Sequence, residues 1–192
     1  MNAGEKMHFN FANSKIYYEA HGEGIPVICI HGYFLDHRVM TGCLEPVFSQ
    51  LNGYKRIYMD LPGMGKSIPG DDIKSGDNIY YVLKNFVEKI TNNCSYVLIG
   101  ESYGVYLSRR LIKEHMDRIP GLELICPVIA PSKSARKLPD KFVIYEDSDF
   151  SEKLSKNEKD FYNQIGVLFS KSNFERVKEE IITPPLWQMK NS

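Results

Sequence analysis

The stretch LIGESYGVY, residues 98–106, joins an apolar segment to the motif Gly-Glu-Ser-Tyr-Gly and then to a segment that can form a helix. Gly100 and Gly104 flank Ser102, as a sharp turn from a strand into a helix requires, because larger side chains would collide there. Such a turn exposes Ser102 at the carboxyl edge of a parallel sheet, where α/β proteins bind ligands. The alternative is a tight turn whose serine only caps the helix. The apolar strand and the helical segment around the motif favour Ser102 as a nucleophile.

Apolar strands alternate with amphipathic helices along residues 1–130. The segments KMHFNF and KIYYEA are separated by a short turn and predict an antiparallel hairpin. Four later segments predict strands, namely IPVICIHG (25–32), KRIYMD, SYVLIG and GLELICPVIA (121–130). Amphipathic helices are predicted between them, and Asp77 is the predicted cap of one. We therefore expect an α/β fold, with a mainly parallel sheet and helices on both faces.

Residues 131–192 have a different character, because they are polar and rich in charge and predict two helices. Ser155-x-x-Glu158 and Ser172-x-x-Glu175 both match the capping box that begins many helices. We expect a helical layer here rather than another strand–helix unit. The predicted domains are therefore a core over 1–130 and a helical segment over 131–192.

The composition argues against several classes of partner. Lys and Arg together number 24, as do Asp and Glu, so no bulk charge attracts nucleic acid or an anionic membrane. No segment resembles a signal peptide or approaches the roughly 18 apolar residues of a membrane span. The four cysteines lack metal-ligand spacing, and no dinucleotide fingerprint is present. We expect a cytoplasmic protein with no metal, no cofactor, and no nucleic-acid or membrane partner.

The segment DLPGMGKS, residues 60–67, ends in Gly-Lys-Ser and raises the question of a phosphate-binding loop. That motif needs a glycine where this sequence has Asp60. Pro62 donates no amide, and the residues after Ser67 cannot begin a helix at once. Because a phosphate cradle depends on consecutive amides and a helix N-terminus, a nucleotide-binding function is disfavoured.

Three motifs occur in order along the chain: His31-Gly32 after a strand, DLPGMGKS at 60–67, and GESYG at 100–104. In order, spacing and context they resemble the α/β-hydrolase superfamily, in particular its small capped serine hydrolases. The resemblance extends over about residues 7–130. It implies that 131–192 is a cap that shapes the substrate pocket.

The resemblance also implies roles for residues at two turns. Ser102 would be the nucleophile that forms an acyl-enzyme with an ester, an amide or a similar carbonyl substrate of small size. The backbone N–H groups of Tyr33 and Tyr103 would form the oxyanion hole, and Gly32, Tyr33 and Phe34 would contact the substrate. Two fixed amides aimed at the developing oxyanion typically lower the barrier by several kcal/mol.

The groups that would activate Ser102 cannot be assigned in this sequence. The resemblance implies the order nucleophile, acid, histidine, and His115 is the only histidine after Ser102. It lies 13 positions further along one predicted helix, which is about 20 Å at 1.5 Å per residue. His37 would break the family order, His31 is implied to be structural, and Glu101 is implied to point away from Ser102.

We therefore expect the acid and the base to lie outside this sequence, with the C-terminal strands and helices of the fold absent. On this interpretation the chain is a portion or a truncated product of a longer hydrolase and has little activity alone. The alternative, from a different class, is a non-catalytic ligand-binding or signalling protein on the same scaffold. Without the C-terminal strands, segment 121–130 would be an exposed apolar edge, which a dimer formed through this strand would cover.

Overall fold

The computed structural model describes residues 4–130, 132–137 and 139–182. These residues form two compact units, 4–129 and 130–182. The end of the predicted cap, 183–192, lies outside the described residues. Within the described ranges, no helix has both the length and the apolar character needed to cross a membrane.

The first unit is built on one six-stranded sheet. Its strands are Glu5–Phe11 (β1), Ser14–His21 (β2), Ile25–Ile30 (β3), Tyr54–Met59 (β4), Val97–Glu101 (β5) and Gly121–Ile125 (β6). The spatial order is β1-β2-β4-β3-β5-β6. The β1–β2 and β2–β4 pairs are antiparallel, whereas the β4–β3, β3–β5 and β5–β6 pairs are parallel. Both the predicted hairpin and the mainly parallel sheet are confirmed.

Helices connect the parallel strands and cover the sheet. They are His37–Phe48 (α1), Gly76–Ile90 (α2) and Tyr103–His115 (α3), and a 3₁₀ turn follows at Met116–Arg118. Along β3, Val27 and Cys29 pack in the core beside α1, whereas Ile28 and Ile30 pack in the core beside α2 and α3. The strand is therefore buried on both faces, and each such side chain stabilises the fold by about 1.5–3 kcal/mol. The predicted α/β class is confirmed.

The start of α2 differs from the prediction. Ser75, not Asp77, is the N-cap, and its hydroxyl oxygen accepts the backbone N–H of Asn78. Asp77 lies in the first turn, where its negative charge is favourable near the positive end of the helix dipole. Asp77 therefore contributes to the helix start through its charge rather than through a cap.

Strand β6 is shorter than the predicted segment 121–130. It ends at Ile125, and Cys126 follows with a φ of 46°, so the chain leaves the sheet there. As the last strand in the sheet order, β6 leaves Leu122 44% exposed and Leu124 38% exposed. A dimer formed through this strand stays a prediction.

The second unit is small and mixed in structure. A 3₁₀ turn at Lys133–Ala135 is followed by the strands Tyr145–Glu146 (β7) and Leu168–Phe169 (β8), the helices Ser148–Lys153 (α4), Lys156–Ile165 (α5) and Lys171–Val177 (α6), and a π-helical turn at Lys178–Ile182. Strands β7 and β8 pair in parallel, so this unit holds a short pair of strands beside the predicted helices. Tyr162, Phe169 and Phe174 form the core of this unit.

Of the two predicted capping boxes, one is present. Ser155 and Glu158 exchange side-chain and backbone bonds at the start of α5, as predicted. The box at Ser172 was wrong, because α6 begins at Lys171 and Ser170 is its N-cap. Both serines stand three positions before a glutamate in a charged segment, so the sequence pattern alone did not distinguish the two.

Candidate active site

Ser102 occupies a sharp turn between β5 and α3. Strand β5 ends at Glu101, helix α3 begins at Tyr103, and Ser102 between them has φ 51° and ψ −107°. A positive φ is unusual for a residue other than glycine and costs about 1–3 kcal/mol. The Ser102 side chain makes no capping hydrogen bond to the helix. The alternative in which this serine only caps α3 is therefore wrong.

The two glycines of the motif are both required by close packing. A Cβ on Gly100 would lie 2.7 Å from Oγ of Ser108 and 3.0 Å from the backbone of Gly104. A Cβ on Gly104 would overlap the carbonyl oxygen of Ile30 and lie 2.9 Å from that of His31. Helix α3 thus approaches both its own strand and the end of β3 more closely than any side chain would permit.

The backbone of Ser102 is held from the neighbouring strand. Its N–H donates to the carbonyl oxygen of Ile125 at 2.9 Å, and its carbonyl oxygen accepts from Val105 at 3.2 Å and from Val128 at 3.5 Å. Ile125 is the last residue of β6. These bonds fix the serine at the carboxyl ends of two parallel strands, which is where α/β folds place ligands.

The turn after β3 lies beside the start of α3. The approach of Gly104 to the carbonyl groups of Ile30 and His31 brings these segments together, and the rings of Tyr33 and Tyr103 are 5.3 Å apart. Tyr103 is the first residue of α3, so its backbone N–H has no carbonyl partner within the helix. The two amides predicted for an oxyanion hole therefore belong to adjacent segments, and their catalytic role stays a prediction.

Four aromatic rings cluster around the two turns, and we call them the aromatic surface: Tyr33, Phe34, Tyr103 and Tyr106. Tyr33 is 54% exposed and Phe34 is 55% exposed, with their ring centres 4.1 Å apart. Tyr103 stacks on Tyr106 at 6.0 Å. Such a surface suits an apolar group of a ligand bound beside Ser102.

A family model described as alpha/beta hydrolase fold matches residues 25–165. The chain belongs to the α/β-hydrolase fold family. The match includes the turn after β3, the 60–67 loop and the serine turn, and it extends into the second unit.

Relatives within the family carry esterase and hydrolase names. Two curated proteins named pimeloyl-[acyl-carrier protein] methyl ester esterase come from Shewanella woodyi and Shewanella oneidensis. The first is 24% identical over 182 residues, which are 91% of this chain and 66% of the relative. The second is 22% identical over 183 residues, which are 91% of this chain and 65% of the relative. This chain therefore spans just under two thirds of the length of each.

A solved structure gives the same family assignment. An alpha/beta superfamily hydrolase from Oenococcus oeni PSU-1 has a TM-score of 0.76 and 31% sequence identity to this chain. The similar region covers 87% of this chain and 61% of that one. The overlap again leaves a large part of the relative without a counterpart in this chain.

In this α/β-hydrolase chain, His31 joins the turn after β3 to the 60–67 loop. Its Nε2 accepts the backbone N–H of Leu61 at 2.9 Å, so its Nδ1 carries the proton and donates to the carbonyl oxygen of Gly32 at 2.7 Å. Burial lowers the pKa of His31, which favours this neutral form of the ring. The ring thus links two turns, in agreement with the structural role implied by the sequence.

Asp60 organises the loop that resembles a phosphate-binding motif. Its carboxylate accepts backbone N–H groups from His37 at 2.7 Å and Lys66 at 2.8 Å, and the His37 ring at 2.8 Å. Burial alone would raise the pKa of Asp60, but these bonds hold that pKa below its usual value. Helix α2 begins only at Gly76, so Lys66 does not precede a helix N-terminus. The loop lacks what a phosphate cradle requires.

The rings of the other four histidines contact residues other than Ser102. His37 lies between Asp60 and Glu19, His115 lies between Tyr96 and Glu88, His21 lies near Glu19 and Glu45, and the His8 ring packs on Tyr17. His37 is the first residue of α1, and the hydrogen bond between its ring and Asp60 holds it beside the 60–67 loop. Within the described ranges, no hydrogen bond joins Ser102 to a histidine. The structure thus places the turn that carries Tyr33 and Phe34 beside the turn of Ser102 and Tyr103, and none of the histidines lies within hydrogen-bonding contact of Ser102 in the part of the chain that is described.

Asp36, His37 and Asp60 place potential metal ligands within 4.8 Å of one another. The Asp36 carboxylate accepts the Arg38 guanidinium at 2.8 Å and the Arg38 backbone N–H at 2.9 Å. The Asp60 oxygens accept three N–H groups, from His37 and Lys66. Because these oxygens are already bonded to hydrogen-bond donors, the cluster is better described as a polar network than as a metal centre.

Glu101 is the residue whose position sequence reasoning missed. Its carboxyl group lies against Gly32, where a Cβ would overlap Oε2 and lie 3.1 Å from Cδ. The two residues are 69 positions apart in the chain (101 − 32). No local pattern relates them, and only the parallel pairing of β3 with β5 brings them together.

Proposed function

We propose that this chain carries the nucleophile and the oxyanion site of a serine hydrolase that acts on an ester or a similar carbonyl substrate. The observation that carries the proposal is the Ser102 turn, in which a strained backbone presents a side chain that caps nothing. The esterase names of the two Shewanella relatives support an ester as the substrate.

The proposed reaction begins with attack of the Ser102 Oγ on the carbonyl carbon while its proton passes to a base. The carbonyl oxygen becomes an oxyanion that accepts hydrogen bonds from the N–H groups of Tyr33 and Tyr103. Collapse of this intermediate expels the alcohol, which takes up a proton and leaves an acyl group on Ser102. Water then attacks the acyl carbon, releases the acid and returns the proton to Ser102.

The base that this reaction needs is not one of the five histidines in the positions that they occupy here. Each ring has a partner elsewhere, and three of them, His31, His37 and His115, are buried. A serine hydroxyl without a base is a weak nucleophile. We therefore propose that residues 1–192 by themselves turn over esters slowly, and that both acylation and deacylation are affected.

The aromatic surface favours an apolar group on the substrate. Tyr33 and Phe34 project from the oxyanion turn, and Tyr103 and Tyr106 project from the first turn of α3. A short alkyl or aryl ester would bury apolar area against these rings while its carbonyl lies at Ser102. That the second unit caps this surface stays a prediction.

The alternative is a protein that binds a ligand at the same place without chemistry. One observation favours it, namely that no histidine among the described residues bonds to Ser102. Binding without reaction predicts that a carbonyl ligand protects the protein against unfolding equally well in wild type and in Ser102→Ala.

Trapping of the acyl group tests the proposal against this alternative. The chain is incubated with p-nitrophenyl acetate, quenched in acid and digested, and the peptide that contains Ser102 is examined by mass spectrometry. We expect an acetyl group on Ser102 that is absent in Ser102→Ala and that accumulates because deacylation is slow. Acetylation spread over other serines and lysines, with Ser102 unmodified, would contradict it. Fast steady turnover abolished by Ser102→Ala would show that a base has been overlooked.

A further inference from the structure

The carboxyl group of Glu101 has an unusual environment. Oε2 is buried and has no hydrogen-bond partner among the described residues, although Glu101 is only one residue from Ser102. Two other partly buried carboxylates have clear partners: Glu45 pairs with Arg56 at 2.8 Å, and Glu19 lies 3.2 Å from His37. A buried polar atom without a partner is rare in folded proteins and calls for a physical explanation.

Burial is the main influence on the carboxyl group of Glu101. Burial raises the pKa of Glu101, and the backbone of Gly32 offsets this only in part. In the described part of the chain, no charged side chain contributes to the shift. Because no ion pair among these described residues holds the Glu101 carboxyl group, we attribute its position to its contact with Gly32.

Gly32 and Tyr33 share one peptide unit. Gly32 supplies its carbonyl group, and Tyr33 supplies the N–H that is the proposed oxyanion donor. Its carbonyl oxygen accepts from Nδ1 of His31 at 2.7 Å and from the backbone N–H of Leu35 at 3.4 Å. The peptide bond between Gly32 and Tyr33 is trans, so the Tyr33 N–H points away from that oxygen. Whatever holds Gly32 therefore also sets the direction of the Tyr33 N–H.

We infer that Glu101 is a positioning residue, whose carboxyl group fills the space beside the Cα of Gly32 and thereby fixes the direction of the Tyr33 N–H. His31 holds the carbonyl side of the same peptide unit, and Glu101 supports it from β5. The inference rests on the proposed function for its catalytic consequence, but the packing itself does not.

Two variants of Glu101 separate the shape of the side chain from its charge. Glu101→Gln keeps the shape and the ability to accept an N–H, so it should leave the Tyr33 amide in place. Glu101→Ala empties the space beside Gly32 and should let the peptide unit rotate. Glu101→Ser serves as a second truncation should the alanine variant fail to fold. Glu123→Ala, an exposed glutamate on the neighbouring strand β6, is the matched control.

The first measurement does not depend on any reaction. The full chain is labelled with ¹⁵N only at its 12 tyrosines, and the amide signal of Tyr33 is assigned by its loss in Tyr33→Phe. We expect this signal to shift in Glu101→Ala and to stay in place in Glu101→Gln and in Glu123→Ala. An unshifted Tyr33 signal in Glu101→Ala, or an equal shift in Glu123→Ala, would overturn the inference.

The second measurement reads the catalytic consequence. The rate of labelling of Ser102 by a fluorophosphonate is resolved into kinact and KI for each variant. We expect kinact to fall about tenfold in Glu101→Ala with KI unchanged, and to recover in Glu101→Gln, because a misdirected donor weakens oxyanion stabilisation. Wild-type kinact in Glu101→Ala would overturn the inference. If wild type does not label but the Tyr33 signal shifts as expected, the proposed function fails and the positioning role stands.

Discussion

Gly104, in the first turn of α3, packs directly against the carbonyl oxygen of Ile30 at the end of β3. No Cβ fits between them, so this contact sets how close the serine turn lies to the turn after β3. The glycine at this position is therefore required by packing between two segments, and not by its own backbone conformation.

Gly104→Ala should destabilise the protein, because the added methyl group must push α3 away from β3. Overpacking of this kind costs about 1–3 kcal/mol of the free energy of unfolding. Urea denaturation measures the loss. Gly121→Ala is the control, because a Cβ there would meet only side-chain atoms of Val97 at 3.4 Å or more. Equal losses in the two variants would show that the close approach does not exist.

The strained backbone of Ser102 gives a second prediction. Its φ of 51° suits glycine better than a residue with a Cβ. Ser102→Gly should therefore be more stable than Ser102→Ala by about 1 kcal/mol, since relief of strain exceeds the added entropy of the unfolded chain. Urea unfolding of both variants checks this. A glycine variant less stable than the alanine variant would mean that the turn is unstrained.

A third prediction follows from the raised pKa of Glu101. Below about pH 4 the group is protonated in both folded and unfolded states and has no effect on stability. As the pH rises, the unfolded state ionises first, so wild type loses stability until the folded pKa is passed. Glu101→Gln lacks this loss, and its Tm relative to wild type should rise between pH 4 and pH 7. A difference in Tm that is constant with pH, or that falls, would contradict the buried position of this carboxyl group.

Asp60 should behave in the opposite way, because its folded pKa is lowered. Its stabilising effect is present above the unfolded value of about 3.9 and is lost as the pH falls through the lower folded pKa. Asp60→Asn should cost about 3 kcal/mol at pH 7, where His37 and Lys66 lose a charged acceptor, and less near pH 3. Urea unfolding at both pH values measures this. Asp117→Asn, at an exposed site, is the control and should change little; a cost that does not shrink in acid would argue against the lowered pKa.

The sequence was most informative where structure is local. The apolar strand, the two glycines and the following helix predicted the turn at Ser102, because strand, turn and helix are adjacent in the chain. The parallel sheet followed from alternating apolar segments. The predicted cap of α2 was wrong because two nearby residues, Ser75 and Asp77, can both cap a helix. The predicted end of β6 was wrong because the length of a strand depends on its pairing with the neighbouring strand.

The parts of the site that the sequence did not predict depend on distant contacts. Glu101 was expected to point away from Ser102, and nothing near it in the chain indicates that its carboxyl group lies on Gly32. The partners of His37 could not be predicted either, because Glu19 comes from β2 and Asp60 from the loop after β4. Such contacts are determined by strand order, which the sequence predicts only in outline.

The central claim is that Ser102 is a nucleophile presented beside an oxyanion site. Labelling of the intact chain by a fluorophosphonate, followed by peptide mapping, tests it most directly. We predict slow labelling at a single site, Ser102, no modification in Ser102→Ala, and still slower labelling when the carbonyl contact of Gly104 is disrupted by Gly104→Ala. No labelling of folded wild type, or labelling that persists in Ser102→Ala, would contradict the account.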